Sequence, residues 1–286
     1  MRFLRLLLTA CAAALVLRVA TAADVPATPT SLPGAETFAY RDADPRLLLH
    51  VFKPKGWQKS DTRPALIFFF GGAWVRGTPE KSASWAKYAA SLGLVGIAPD
   101  YRTRERFDSS PLDSVADARA SLRWIQEHAA ELGIDPARIV VGGNSAGAHL
   151  ALWTAISQTP PGSSIDEAPL QPPAALILVS APSDTSMLGA QPSRRFGPHA
   201  VALSPLHQLD ARMPPVLAFH GDADRTVPFS QATALRDALL ASGNTCELVV
   251  IPNGTHGFTT QFPEWREKSR TRVAAFLKAQ NLLPPR

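Results

Sequence analysis

One turn restricts this chain more than any other feature. The apolar run Ile139-Val140-Val141 leads into Gly142-Gly143-Asn144-Ser145-Ala146-Gly147, and the apolar stretch Ala148 to Ile156 follows at once. A strand that passes into a helix through Gly-x-Ser-x-Gly is tight enough that a side chain at Gly143 or Gly147 would meet the neighbouring strand or helix. Ser145 is thereby lifted to the tip of the turn with its hydroxyl exposed.

The rest of the chain keeps the same strand-then-helix rhythm. Apolar runs of strand length recur at Leu47 to Phe52, Ala65 to Phe70, Leu94 to Ala98, Ala174 to Val179, Val216 to Phe219 and Leu248 to Ile251. None alternates strictly, as expected where helices cover both faces of a sheet. Between them lie helical patterns. Val115, Ala118, Leu122, Ile125, Ala129 and Leu132 recur at three and four until Gly133, with Pro136 beyond, and Ser230 to Ser242 and Trp265 to Ala279 are similar. This order predicts an α/β fold, a mostly parallel, doubly wound sheet joined by right-handed crossovers. Residues 23–286 read as one domain, since no repeat and no linker rich in Gly or Ser divides them. The 26 prolines are scattered as loop punctuation. Ser180 to Pro215 breaks the rhythm with Pro, Ser and Arg, and reads either as a cap over a site or as a long loop.

The N-terminus has the three parts of a secretory signal: Arg2 and Arg5, the apolar run Leu6 to Leu17, and the small residues Ala20-Thr21-Ala22. The run's length of 12 residues falls short of the ~20 needed for a spanning helix. Cleavage after Ala22 is expected, making residues 1–22 a signal peptide and the product secreted or periplasmic. Leu8-Thr9-Ala10-Cys11 also resembles a lipobox, the alternative in which Cys11 is the lipidated first residue, although the apolar run continues past it. Removal of residues 1–22 takes away three arginines and no acid, lowering the formal charge from +5 to +2. That charge offers no case for nucleic-acid binding. Cys246 then stands alone, so the fold is held by its core and not by a disulfide.

A serine hydroxyl needs a base to take its proton and a third group to orient that base. His256, in Gly254-Thr255-His256-Gly257-Phe258 after the last strand run, is the expected base. His220 ends a strand run and is expected to be structural. Two acids, Asp222 and Asp224, stand between Ser145 and His256 in the loop Gly221-Asp222-Ala223-Asp224-Arg225-Thr226-Val227-Pro228.

With this loop the chain resembles the α/β-hydrolases, in the branch of esterases and peptidases with a Gly-x-x-Asp-x-x-Val-Pro acid loop. The resemblance runs from about Leu47 to Leu277 and includes the order Ser, Asp, His. It implies that Asp224 is the triad acid and that Asp222 fixes its loop. It further implies an oxyanion hole in Phe70-Gly71-Gly72-Ala73-Trp74, the match to the family's His-Gly-Gly-Gly loop, with the amides of Gly72, Ala73 and Ala146 as donors. Phe70 replaces the family's His, so the imidazole that helps to hold this loop in relatives is missing. Asp100-Tyr101-Arg102 resembles a segment that braces the loop from behind, while Arg102 to Arg106 reads as a solvated face. His149, one helical turn past Ser145, is expected to form buried hydrogen bonds.

The Gly-Gly-x-Trp loop and Ser-Ala-Gly-x-His helix resemble those of acetyl xylan and feruloyl esterases, and the aromatic residues that the motifs place near the site, Trp74 and Phe258, would offer flat faces to a sugar or phenolic ring. The expectation is a secreted serine esterase acting on short acyl groups, with a small-molecule or polysaccharide ester as partner. Amide hydrolysis is the alternative among enzymes, and a silent binding module the alternative outside them. The seven histidines form no His-x-x-x-His pair and there is no Gly-x-x-x-x-Gly-Lys loop, so neither a metal nor another cofactor is expected.

Overall fold

A computed structural model describes residues 27–162, 170–188, 191–192 and 194–284. The expected signal segment and Cys11 lie outside them. In chain order the strands are β1 (Glu36–Arg41), β2 (Leu47–Phe52), β3 (Arg63–Phe69), β4 (Val95–Pro99), β5 (Ile134–Asn144), β6 (Ala175–Val179), β7 (Met187–Leu188), β8 (Gln191–Pro192), β9 (Val216–Gly221) and β10 (Cys246–Ile251). The helices are α1 (Ala83–Ser91), α2 (Arg104–Phe107), α3 (Pro111–Glu127), α4 (Ala129–Leu132), α5 (Ala146–Ala155), α6 (Phe229–Ala241), α7 (Phe258–Gln261) and α8 (Glu264–Ala279).

Among the described residues, eight strands form one sheet in the order β1-β2-β4-β3-β5-β6-β9-β10. From β4 to β10 every pairing is parallel, whereas β2 runs antiparallel to both β1 and β4. The doubly wound sheet is therefore as expected. β1 was not: its Glu-Thr-Phe-Ala-Tyr-Arg is half-exposed at the sheet edge, and so lacks the apolar run that marks the inner strands.

Both faces of β3 are buried, and its side chains divide by the two-residue period of a strand. Ala65, Ile67 and Phe69 join the core beneath α3, α4 and α5. Leu66 and Phe68 join the core beneath α1 and α8. Ser110 opens α3 with a reciprocal cap, since its hydroxyl accepts from the Asp113 amide and its own amide donates to the Asp113 carboxylate, an arrangement worth ~1 kcal/mol. The periodic run expected as one helix is interrupted at His128, whose backbone leaves the helical region before α4 begins. Ala129 and Leu132 stay buried, so the apolar stripe crosses the break. Gly133 ends α4 in the left-handed conformation.

This winding gathers the loops that follow β3, β5, β9 and β10 at the carboxyl ends of adjacent parallel strands, where α/β sheets place their crevices. The described residues of 180–215 are tied to α5 and α6. The side-chain oxygen of Gln231 accepts the amides of Ser183 and Asp184, and Leu203 O accepts from His149 and Trp153. Half-buried Cys246 sits at the start of β10, where burial pushes its thiol up to about 11. No helix among the described residues is long and apolar enough to cross a membrane.

Candidate active site

β5 delivers Ser145 to the turn into α5 with φ 53° and ψ −120°. That backbone is unfavourable for a non-glycine residue. Two contacts hold it there. The Ser145 amide donates to Val179 O at 2.8 Å, and Gly147 lets α5 press against β3 so closely that a Cβ there would lie 2.3 Å from Phe69 O. All ten residues of α5 are buried, so the helix bearing the elbow cannot shift without disturbing the core.

The loop after β10 carries His256 back over the end of β9. The Ala223 amide donates to Gly254 O at 3.0 Å and the Asn253 amide donates to Asp222 Oδ1 at 2.6 Å. Asp222 thus ties the acid loop to the histidine loop, while Asp224 faces the ring itself. Asp224 Oδ1 accepts from the amides of Thr226 at 2.8 Å and Val227 at 2.9 Å, and His256 Nδ1–H donates to Asp224 Oδ2 at 2.7 Å. The opposite ring nitrogen, Nε2, accepts from the Ser145 hydroxyl at 2.9 Å. His220 Nε2–H donates to Val227 O at 2.9 Å and lies 3.4 Å from Asp224 Oδ2. Burial alone would raise the Asp224 pKa, but the hydrogen bonds from His220, His256 and the Val227 amide outweigh it and hold the carboxyl well below its ordinary range. A buried carboxylate that stays ionised next to Nδ1 is what an imidazole needs in order to keep its other nitrogen free as a base.

Opposite Ser145 lies the loop after β3. Gly72 has φ 153°, and a Cβ there would overlap Arg76 O at 1.7 Å, so only glycine fits. Ala73 and Trp74 follow at φ 58° and 59°. Gly72 O accepts from the amides of Val75 at 3.0 Å and Arg76 at 3.1 Å, and Trp74 O accepts from the Arg104 amide at 3.1 Å. The amides of Gly72, Ala73 and Ala146 make none of the loop and turn backbone bonds among the described residues. Phe70, in place of a histidine, stacks on Tyr101 with ring centroids 4.1 Å apart, and the Tyr101 hydroxyl donates to Phe70 O at 2.8 Å. Aromatic packing and one buried hydrogen bond therefore anchor the loop where an imidazole is missing.

Two expectations are corrected here. Trp74 offers no face to a ligand: it is 3% exposed and packs edge-on against His149 and Phe196, with centroids 5.0 and 4.8 Å away. Nor is Arg102 to Arg106 wholly a solvated face. Arg104 and Glu105 are exposed, but the Arg106 side chain is 2% exposed, paired with Asp100 and bonded to Gly77 O at 2.9 Å, and Arg102 chelates Asp117. The Arg106 bond to Gly77 O links this segment to the stretch after β3, Arg102 ties it to Asp117 on α3, and buried charges need such partners.

Beside Ser145 and His256 opens a cavity of about 510 Å³ whose apolar wall includes Phe68, Trp85, Val179 and Phe258. Phe258 is buried and stands edge-on to Trp265, so it serves as wall. No described residue of 180–215 lines this cavity. Trp85, on α1, and the α8 residues of the lining lie far from any motif, so no sequence signal marks them. Among the described residues, no cluster of three His, Cys, Asp or Glu is placed to hold a metal ion.

Fold and site together define the class: the chain belongs to the α/β-hydrolase family, whose pattern, described as alpha/beta hydrolase fold, matches residues 66–260. The relatives of this chain described below are esterases. It is 36% identical to the thermophilic esterase Est2 of Thermogutta terrifontis, solved with propionate bound, at a TM-score of 0.81 over 89% of this chain and 97% of that one. It is 27% identical over 242 residues to the carboxylesterase NlhH of Mycobacterium tuberculosis, covering 77% of this chain and 75% of that protein. It is 26% identical over 235 residues to the probable isoprenylcysteine alpha-carbonyl methylesterase ICMEL1 of Arabidopsis thaliana, covering 74% of this chain and 48% of that protein. The chain spans about half the length of the first curated relatives it matches.

Proposed function

We propose that this chain hydrolyses short-chain carboxylic esters through an acyl-enzyme on Ser145. One observation carries the reading: an unbroken hydrogen-bonded relay from Ser145 through His256 to Asp224, with distances of 2.9 and 2.7 Å, at the edge of a cavity. Ser145 Oγ attacks the ester carbonyl as its proton passes to His256 Nε2, and the Asp224 carboxylate steadies the resulting imidazolium through Nδ1–H. The carbonyl oxygen, now an anion, takes hydrogen bonds from the amides of Gly72, Ala73 and Ala146. Collapse of this intermediate breaks the bond to the alcohol oxygen, which leaves with the proton held by His256. Water, deprotonated by the same nitrogen, then attacks the acyl carbon, releasing the acid and restoring the serine.

Short acyl groups are favoured because Est2 of Thermogutta terrifontis has been solved with propionate and with butyrate bound. A polysaccharide ester rests on the motif resemblance to acetyl xylan and feruloyl esterases alone, and burial of both Trp74 and Phe258 leaves neither of its aromatic platforms exposed. Export, proposed on the N-terminal pattern of Arg2 and Arg5, Leu6 to Leu17 and Ala20-Thr21-Ala22, would place the reaction outside the cytoplasm. A fluorophosphonate probe on the purified chain tests the central reading. Ser145 should be the labelled residue, and Ser145→Ala should lose both label and ester turnover while unfolding at the wild-type urea midpoint. Label on another residue, or a fully active Ser145→Ala, refutes it.

A further inference from the structure

Four cations line the cavity beside Ser145, namely Arg76, Lys81, Arg266 and Arg270, and no aspartate or glutamate lines it. They come from two separate parts of the chain. Arg76 and Lys81 stand on the segment between β3 and α1, whereas Arg266 and Arg270 stand on α8. Among the described residues, the side chains of Arg76 and Lys81 make no ion pair or hydrogen bond. Arg266 Nε donates to the neutral carbonyl of Thr259 at 3.2 Å. Only Arg270 has a carboxylate partner, Glu267, at 2.9 Å and mostly exposed. The chain as a whole has 29 basic and 24 acidic residues, so the one-sided lining is a local arrangement and no reflection of composition.

A second feature points the same way. Ser269 lines this cavity and is 1% exposed, and among the described residues its hydroxyl has no hydrogen-bond partner. A buried donor left without an acceptor is costly, and a ligand oxygen would satisfy it. Like charges around a concave, low-dielectric wall focus their field into the concavity and raise the local concentration of an anion.

We infer that the cavity selects esters that carry a carboxylate, with Arg76, Lys81, Arg266 and Arg270 as the attracting charges and Ser269 as a donor to the same ligand. The inference rests on the proposed reaction at Ser145 and adds the charge of its substrate. Guanidinium and ammonium groups attract a carboxylate whether it sits on the acyl or the alcohol part of the ester, so the test has an arm for each.

The experiment compares kcat/KM for 4-nitrophenyl hemisuccinate with 4-nitrophenyl valerate, an anionic and a neutral acyl group. It also compares 4-acetoxybenzoate with its methyl ester, an anionic and a neutral leaving group. Each rate is divided by that ester's own rate with hydroxide, which removes differences in intrinsic reactivity. At low ionic strength the anionic member of at least one pair should lead by about tenfold, the low end of electrostatic focusing. The lead should fall at least about threefold in roughly 0.5 M NaCl, where exposed charges are screened. It should fall similarly in Arg76→Gln/Lys81→Gln, mainly through KM. Ser145 labelling on the same samples separates the two readings. Labelled enzyme that cleaves neutral esters, but whose ratio is at or below one or ignores both salt and substitution, overturns the charge selection and leaves the hydrolase intact. Absence of both label and turnover overturns the hydrolase reading, and this inference with it.

Discussion

Mild acid should destabilise this fold through a histidine that takes no proposed part in the chemistry. His149 is fully buried in α5, between Trp74 and Phe196, and its Nε2–H donates to Leu203 O at 2.9 Å. Burial lowers its pKa from 6.5 to about 4, against a smaller opposing effect of that hydrogen bond. Above 6.5 the ring is neutral in folded and unfolded chains alike, so nothing is lost. Between 6.5 and about 4 the unfolded chain binds a proton that the folded chain refuses, and stability declines as pH falls. At about 1.4 kcal/mol per pH unit the loss amounts to about 3 kcal/mol, a large part of a typical stability of roughly 5–15 kcal/mol. His149→Phe isolates the effect. It keeps an aromatic ring against Trp74, and Leu203 O retains the indole N–H of Trp153 at 2.9 Å. His50, whose pKa burial likewise lowers to about 4, is present in both proteins and cancels. Urea unfolding followed by tryptophan fluorescence from pH 7.5 to 4 should show the wild type losing about 3 kcal/mol more than His149→Phe. Equal losses in the two proteins would mean that His149 is protonated in the native state, and the reasoning from its burial would be wrong.

Asp224→Asn should reduce kcat far more than Asp222→Asn, since only Asp224 bonds to His256; in a chymotrypsin-like serine protease the equivalent change costs ~10⁴ in kcat, and a worse Asp222→Asn would show the acid loop to be misassigned. Gly147→Ala should lower the urea midpoint by an amount corresponding to about 1–3 kcal/mol or more, because its Cβ would sit 2.3 Å from Phe69 O and 2.5 Å from Phe70 O. An unchanged midpoint would contradict the close approach of α5 to β3. Acetyl esters should be cleaved well above decanoyl esters and without activation at an oil–water interface, because hydroxyls and four cations share the cavity lining with its apolar wall; a kcat/KM rising steadily from two to twelve carbons would refute this.

Much of the fold is legible in the chain because most of its strands are buried on both faces. Such strands need uninterrupted apolar runs, and the runs at Leu47, Ala65, Leu94, Ala174, Val216 and Leu248 all fall on observed strands. β1 escapes this reading because its Glu-Thr-Phe-Ala-Tyr-Arg, half-exposed at the sheet edge, mixes polar and apolar residues and carries no such run. The break at His128 escapes it too, since the buried stripe continues through the kink and periodicity is blind to it.

The amino-acid sequence by itself determines what local sterics dictate. Gly143 and Gly147 around Ser145 demand a tight strand-to-helix turn, and the chain order places an acid loop and a histidine loop at the ends of later strands. Only the tertiary structure decides what depends on packing between distant segments. It turns Trp74 inward against His149 and Phe196, and buries Arg106 against Asp100. It also brings Arg76 and Lys81 into the same cavity as Arg266 and Arg270, across nearly two hundred residues of chain. The physical reason is that a side chain's exposure and electrostatic surroundings are set by neighbours from other strands and helices, and no local run of residues encodes those.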